Sequence, residues 1–297
     1  MGSVPLPPMP RSGGPQPGAP EPAAPQPAAL EDIELGLLVE GLYRARGDDL
    51  RGYRPAVLKA RLDVFMAAHG LRTISAVQER ALHEEAVGEA LVAALYPRPA
   101  AMFDDTAYHA ALRRLVACDL RTWPHPDIWL PECAGAEEVH ALAILLEEEG
   151  LYDRSRIFVT HANGAVLQEL RNGGVPVARM AEYEGNHRRA GGKRPLAAYC
   201  EYRGDTFMIS PSLRHNIVWA QSDLSIDASF NEFQLVLCRY AMAEFGSALR
   251  RKALRTFDDS LSAFGILGIP PDSQTDLHLI GHYQAIAPAL GLHRRLG

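Results

Sequence analysis

Side chains that could do chemistry stand at the ends of three short apolar segments. Cys133 follows the first, His161 follows the second and Cys238 ends the third, while His140 lies seven residues after Cys133. Cysteine and histidine are zinc ligands, so these four side chains could bind a metal if the segments end together. They lack the short paired spacing of familiar zinc sites, and structural roles for all four are the alternative.

Two carboxylates stand beside them, at Glu137 and Glu138, where a helical pattern begins. The helix dipole favours negative charge in the first turn, so a capping role is open to both. The stretch from Ile128 to Gly150 is typical of a strand, a tight turn and a helix, the first half of a βαβ unit. Ligands bind such folds at the carboxyl ends of the strands, which makes the turn at Pro131–Ala136 the expected site of chemistry.

Bulk composition excludes several function classes. The chain has 297 residues, 47% hydrophobic and 22% charged, with a formal net charge of -6. These values are ordinary for a globular protein and give no general attraction to nucleic acid or membranes. The longest apolar segments are too short for membrane insertion, and no signal peptide is recognisable. Four widely spaced cysteines without a CxxC pair indicate a reduced, cytoplasmic protein.

The first half of the chain divides into two parts. Residues 1–29 are rich in Pro and Ala and predict a disordered leader, which could alternatively dock a partner as a Pro-rich segment. Residues 30–105 predict an all-α domain, because apolar residues recur with helical spacing and no strand pattern occurs. The predicted helices are 30–46, 55–69, 74–83 and 84–95.

Residues 106–297 alternate between strand and helix patterns, which favours an open, mostly parallel α/β sheet. Asn163 is a good N-cap for a helix after the second strand. The segment 182–193 is polar and Gly-containing, and predicts a surface excursion. The predicted strands are 128–130, 156–160, 216–219, 233–238, 264–269 and a final edge strand at 292–294, with a hairpin of 197–201 and 206–209.

Several segments, in this order, resemble the CheR family of chemotaxis-type S-adenosylmethionine-dependent protein-glutamate methyltransferases. Trp129–Ala143 is similar to the family's W-S-A-x-C-S-T-G-E-E-P-Y-S-L-A motif, and Phe233–Phe245 to its F-D-x-I-x-C-R-N-V-x-I-Y-F motif. Leu254–Leu267 resembles the L-R-x-F-x-x-S-L segment that follows. The resemblance implies a Rossmann-like class I methyltransferase domain with a small β-subdomain at about 195–219, preceded by an all-α N-terminal domain.

The resemblance also implies roles for particular residues. Arg98 is its candidate catalytic residue, with an interdomain salt bridge as the alternative. The implied cofactor is S-adenosylmethionine or S-adenosylhomocysteine, and no metal is implied. The implied cofactor-binding residues are Cys133, Gly135, Glu137, His161, Asp223, Leu224 and Arg239. Asp223 could equally be a turn residue.

The sequence departs from the family at binding positions. His161 stands where the family has an aspartate for the ribose hydroxyls, and Ala134 and Ala136 replace a small polar residue and a glycine. Replacing a buried ribose carboxylate could cost about 2 to 4 kcal/mol of binding energy. The first hypothesis is therefore a diverged homologue in bacterial signalling, with weakened or lost cofactor binding, acting as a regulatory or scaffold module on a signalling or chemoreceptor-like protein. The alternative is an active protein-carboxylate O-methyltransferase.

Overall fold

The computed structural model of the protein describes residues 30–97, 101–228 and 231–297. The leader and Arg98 lie outside these ranges, so the expectations for them stay predictions. Within the described residues no helix is long and apolar enough to cross a membrane.

Four helices form the first part of the chain, as the apolar spacing predicts. Local signals set their ends: α2 has Pro55 in its first turn and stops at Gly70, which adopts φ 66. Thr73 caps α3 by accepting a hydrogen bond from the backbone N–H of Ala76 at 3.1 Å. The helices are α1 (Leu30–Arg46), α2 (Pro55–His69), α3 (Ile74–His83) and α4 (Glu85–Leu95).

The rest of the chain alternates between helices and strands. In chain order these are α5 (Thr106–Cys118), β1 (Asp127–Leu130), α6 (Ala136–Glu148), β2 (Arg156–His161), α7 (Gly164–Asn172), β3 (Val175–Pro176), α8 (Met180–Arg189), β4 (Cys200–Arg203), β5 (Thr206–Ile209), β6 (Ile217–Gln221), β7 (Phe233–Leu237), α9 (Tyr240–Glu244), α10 (Ser247–Ser260), β8 (Leu261–Gly268), α11 (Gln274–Leu277), β9 (Tyr283–Ala287) and β10 (Leu292–Arg295).

Seven of the strands form one sheet in the order β6-β2-β1-β7-β8-β10-β9. The first five of these run parallel to one another, and β10 is antiparallel to both of its neighbours. The order reverses between β1 and β7, which is the switch point where open α/β sheets bind ligands. The predicted Rossmann-like α/β fold, with a helical region before it, is confirmed.

The centre of the sheet is fully buried. The Trp129 ring of β1 stacks on Phe233 of β7 with centroids 5.1 Å apart, and its indole N–H donates to Thr160 Oγ1 of β2 at 2.9 Å. Phe257 of α10 packs edge-on against the same indole. These contacts fix the relative positions of β1, β2 and β7, whose ends carry the candidate site.

Two element predictions are wrong. The polar segment 182–193 is largely the helix α8, whose buried face includes the polar residues Asn186 and His187 beside Tyr183. Hydropathy alone could not reveal a face of that kind. The segment 292–294 is not an edge strand, because β9 pairs with the outer side of β10.

The small β-subdomain expected at about 195–219 needs a correction at its end. Residues 217–221 form β6, which pairs with β2 in the main sheet. A separate three-stranded sheet has the order β3-β5-β4 and includes Val175–Pro176, a strand of two residues too short to predict. The domain boundaries themselves stay predictions.

Candidate functional site

The carboxyl ends of β2, β1 and β7 lie side by side at one edge of the main sheet. The segment after β1 is tied to β2 by a hydrogen bond from the Cys133 N–H to the Thr160 carbonyl, at 3.1 Å. The segment after β7 is tied to β8 by a bond from the Cys238 N–H to the Gly268 carbonyl, at 2.9 Å. Parallel pairing therefore gathers the predicted residues at this edge.

The turn between β1 and α6 is held by a carboxylate. Gly135 precedes α6 and offers no side chain to cap it. Glu138 folds back instead, accepting hydrogen bonds from the Ala134 N–H at 3.2 Å and from the Cys133 thiol at 3.5 Å. Burial raises the pKa of Glu138 to about 7. The capping role considered for the two glutamates thus falls to Glu138.

Glu137 and Arg239 lie at the α6 end of this edge. Glu137 Oε1 accepts a hydrogen bond from the Tyr183 hydroxyl at 3.2 Å. The Arg239 guanidinium donates to Asp105 Oδ2 at 2.9 Å and lies 3.9 Å from the centroid of the Tyr108 ring. Glu137 and Arg239, together with Glu138, line a cavity of about 20 Å³. This volume is enough for water only.

His161 lies at the end of β2 and is almost completely buried. The Asn163 N–H donates to its Nδ1 at 2.9 Å, so the ring is the tautomer with its proton on Nε2. The Tyr96 ring packs edge-on against the imidazole, with centroids 4.5 Å apart. Asp48 accepts hydrogen bonds from the Tyr96 hydroxyl at 3.4 Å and from the Asn163 side chain. The helical region thus covers the end of β2.

Asp223 and Leu224, which follow β6, lie near the same strand end. They line a cavity of about 10 Å³ together with Tyr53, Tyr96 and Glu132. The structure therefore brings the predicted residues into two small groups. Asp223 and Leu224 lie on the β2 side with His161 nearby, and Glu137 and Arg239 lie on the α6 side, with Gly135 and Cys133 in the turn between them.

Glu132 also lies at this edge, although no motif in the sequence singles it out. Its Oε1 accepts a hydrogen bond from the Ala162 N–H at 3.1 Å, which carries its carboxylate to the end of β2. Burial raises the pKa of Glu132 well above its usual range, and the negative charge of Asp223 raises it further. One signal could have revealed it: Glu132 is the only charged residue in the segment Pro131–Ala136.

The zinc interpretation is not supported. Among the residues that the structure describes, no group of three or more His, Cys, Asp or Glu side chains is arranged to bind a metal ion. Burial raises the thiol pKa of Cys133 and Cys238, and burial lowers the pKa of His140 to about 3. Inert, buried thiols and a neutral imidazole are the expected state of structural residues.

A nucleoside-containing cofactor fits these groups by chemistry but not by space. Glu132 Oε2 is buried and has no hydrogen-bond partner among the described residues, so it can accept from a ribose hydroxyl. Glu137 and Glu138 could accept from an ammonium group at the other end. Ligand pockets usually have volumes of about 300–1,000 Å³. Both cavities would have to widen before these residues could bind such a molecule.

The strand order and the ligand-binding edge define the chain as a class I methyltransferase-like protein. Residues 99–272 match the family described as CheR methyltransferase, SAM binding domain. The chain is also 36% identical to "Putative methyltransferase Cher3" of Pseudomonas putida, over 82% of its own length and 90% of that protein. The chain belongs to the CheR methyltransferase family, and S-adenosylmethionine is the cofactor for which its matched domain is named.

Two further likenesses are more distant. The chemotaxis protein methyltransferase of Listeria innocua is 29% identical over 50% of this chain and 53% of that protein. The N-methyltransferase NodS of Bradyrhizobium japonicum, solved with S-adenosyl-l-homocysteine, is 12% identical. NodS aligns over 66% of this chain and 89% of that chain, with a TM-score of 0.35. Because this TM-score is low, the fold class is assigned from the strand order of the main sheet and not from this likeness.

Proposed function

We propose that this CheR-family protein is a regulatory or scaffold module of bacterial signalling whose cofactor affinity is much weakened. The proposal rests on one observation. The ligand edge, which is the sheet edge where β2, β1 and β7 end, is closed on its β2 side. Tyr96 packs on His161, and only about 10 Å³ remains beside Asp223 and Glu132. A nucleoside can enter only if Tyr96 and the helical region move. The free energy needed for that movement would reduce the binding energy.

Cofactor affinity decides the function because methyl transfer to a carboxylate needs little else. A glutamate side chain, with an ordinary pKa of about 4.3, is already ionised at neutral pH. The sulfonium is an activated donor when bound, so the protein's contribution is chiefly to position the two reactants. A closed cofactor site therefore removes the main contribution that this fold would make.

The charges of α2 also argue against methylation of an acidic protein segment. A basic helix could bind such a segment, but Lys59 and Arg61 of α2 are already paired with carboxylates within the chain. Lys59 Nζ lies 2.6 Å from Asp32 Oδ1, and Arg61 makes two 2.5 Å bonds to the carboxylate of Glu244. Pairing of this kind reduces the attraction of α2 for an acidic substrate.

The proposed partner is a signalling protein, of the chemoreceptor type at most, and the proposed compartment is the cytoplasm. The name of the Listeria innocua relative, a chemotaxis protein methyltransferase, supports this class of partner. The Pro-rich leader, residues 1–29, is a candidate docking segment for that partner. A net charge of -6 gives no general attraction to nucleic acid.

One observation favours a second candidate, an active protein-glutamate O-methyltransferase. A carboxylate still stands at the end of β2, supplied by Glu132, and Arg239 and Glu138 remain at the other end of the edge. These groups could bind both ends of the cofactor if the two cavities widened.

Calorimetric titration of the full-length protein with S-adenosylmethionine and S-adenosylhomocysteine separates the two candidates. We expect dissociation constants at least about tenfold above the micromolar range, because moving Tyr96 and the helical region would cost part of the binding energy. A parallel assay for methyl transfer to a glutamate-rich peptide should give no product. Micromolar binding together with transfer would contradict the proposal and establish the second candidate.

A further inference from the structure

Glu132 has an unusual backbone conformation for its residue type. Its φ is 46°, in the left-handed region, and the residue is only 5% exposed. A left-handed conformation costs a non-glycine residue about 1–2 kcal/mol. Strain of this kind persists where the surrounding structure imposes it and is concentrated at functional sites. The strained backbone directs the side chain from the β1 turn across to the end of β2.

The two carboxylate oxygens of Glu132 have different surroundings. Oε1 accepts from the Ala162 N–H at 3.1 Å. Oε2 lies 3.8 Å from His161 Nε2, which is beyond hydrogen-bond distance, and has no hydrogen-bond partner among the described residues. A buried acceptor without a partner is costly, and most native structures avoid it. Oε2 can therefore accept a further hydrogen bond. Glu132 lines the cavity that Asp223 also lines, so a ligand there could donate this bond.

We propose that Glu132 supplies the carboxylate that binds the vicinal hydroxyls of a nucleoside ligand, in place of the residue at position 161. Acidic residues at this edge of a dinucleotide-binding sheet characteristically bind a ribose hydroxyl. Here the carboxylate reaches the same strand end from the turn after β1 rather than from β2 itself. The inference rests on the proposed function, because it concerns the cofactor affinity that the closed site retains.

If the role of Glu132 were purely structural, the Glu132→Gln variant would behave differently. If Glu132 served only to bind the Ala162 N–H, glutamine would replace it without loss, since the amide oxygen can accept the same bond. A ligand role needs an acceptor at the second position as well, and the glutamine NH₂ group is a donor. Glu132→Gln therefore separates the two roles without removing the bond to Ala162.

The test compares full-length wild type, Glu132→Gln, Glu132→Ala and the swap Glu132→Ala/His161→Asp, titrated with S-adenosylhomocysteine. We expect each single variant to bind at least tenfold more weakly than wild type, and the swap to recover wild-type affinity within a few-fold. Glu132→Gln should unfold at the same urea concentration as wild type. Glu147→Gln, an exposed glutamate at the far end of α6, is the matched control and should change nothing.

A second readout identifies the hydroxyls. Adenosine should displace S-adenosylhomocysteine from wild type better than 2′,3′-dideoxyadenosine does, and the two should be equivalent for Glu132→Gln. Equal binding by wild type and Glu132→Gln would overturn the inference, as would a wild type that binds no S-adenosylhomocysteine at millimolar concentration. Micromolar binding by wild type would instead contradict the proposed weak affinity, and the Glu132 variants would still decide the role of this residue.

Discussion

At the scale of single residues, His161 is part of a polar cluster rather than a simple replacement for a carboxylate. Its Nδ1 accepts from the Asn163 N–H, and its Nε2 faces Glu132. An imidazole with its proton on Nε2 brings no negative charge beside Glu132, whereas an aspartate at position 161 would. This arrangement makes the two positions, 132 and 161, dependent on each other.

We predict that His161→Asp alone destabilises the protein, by about 1–3 kcal/mol in the free energy of unfolding at neutral pH. The new carboxylate would be buried beside Glu132 and near Asp223, without a cation to pair with. Urea denaturation measures the effect, and adding Glu132→Ala in the same chain should relieve it. A His161→Asp protein as stable as wild type would show that positions 132 and 161 do not interact.

The sequence places most of the candidate residues at one edge of the sheet, but it does not reveal the close packing around them. Asp223 and Leu224 could be placed with His161 because parallel strands end at one edge. Glu132 and Tyr96 could not, because their roles depend on a left-handed backbone conformation and on packing between distant segments. Such features arise only when the tertiary structure forms, and neither leaves a periodic pattern in the sequence.

At the scale of elements, Glu148 at the end of α6 holds several helices together. Its side chain is fully buried and lies 2.7 Å from Arg113 of α5 and 3.2 Å from His187 of α8. It also accepts from the Tyr199 hydroxyl and the Lys193 N–H, both at 2.8 Å. Burial raises the pKa of Glu148, but the bonds from His187, Lys193 and Tyr199 outweigh it and lower this pKa to about 2.

We predict that Glu148→Gln lowers the free energy of unfolding by about 2–3 kcal/mol at neutral pH, because it removes the carboxylate 2.7 Å from buried Arg113 and leaves Glu149, 3.0 Å away, to balance this charge. The folded pKa of Glu148 lies below its ordinary value of 4.5. Its stabilising contribution is therefore complete above that value and is lost as the pH falls towards about 2.

Urea denaturation from neutral to acid pH checks this prediction. The difference in stability between wild type and Glu148→Gln should narrow as the pH falls below 4.5. The neighbouring exposed residue provides the control, since Glu147→Gln should follow wild type throughout. A difference that stays constant with pH would show that the ionisation of Glu148 does not stabilise the fold.

Most elements are predictable from the spacing of their apolar residues. The helices α1 to α4 follow the helical period, whereas β1 and β7 are short apolar runs buried at every residue. The failures have physical causes. The buried face of α8 carries Asn186 and His187, whose polar groups bond to Met102 and Glu148. Residues 283–287, which form β9, show too little burial for a clear alternating pattern.

At the scale of the whole molecule, the helical region and the α/β sheet are joined next to the ligand edge. The Gly246 N–H donates to the Gly52 carbonyl and the Arg54 N–H donates to the Glu244 carbonyl, both at 2.8 Å. A Cβ on Gly246 would lie 2.9 Å from the Gly52 carbonyl oxygen, so the close approach depends on glycine. This contact holds the helical region, including Tyr96, over the end of β2.

Substitutions of Tyr96 can show whether the helical region closes the cofactor site. The measurement is the dissociation constant of S-adenosylhomocysteine for full-length wild type, Tyr96→Ala and Tyr96→Phe, with circular dichroism to establish that each variant is folded. Tyr96→Ala should bind at least tenfold more tightly than wild type, because it vacates the space against His161. Tyr96→Phe keeps the ring and should bind as wild type does. If Tyr96→Ala binds no more tightly than Tyr96→Phe, the packing of Tyr96 on His161 does not limit cofactor binding, which would contradict closure of the site by the helical region.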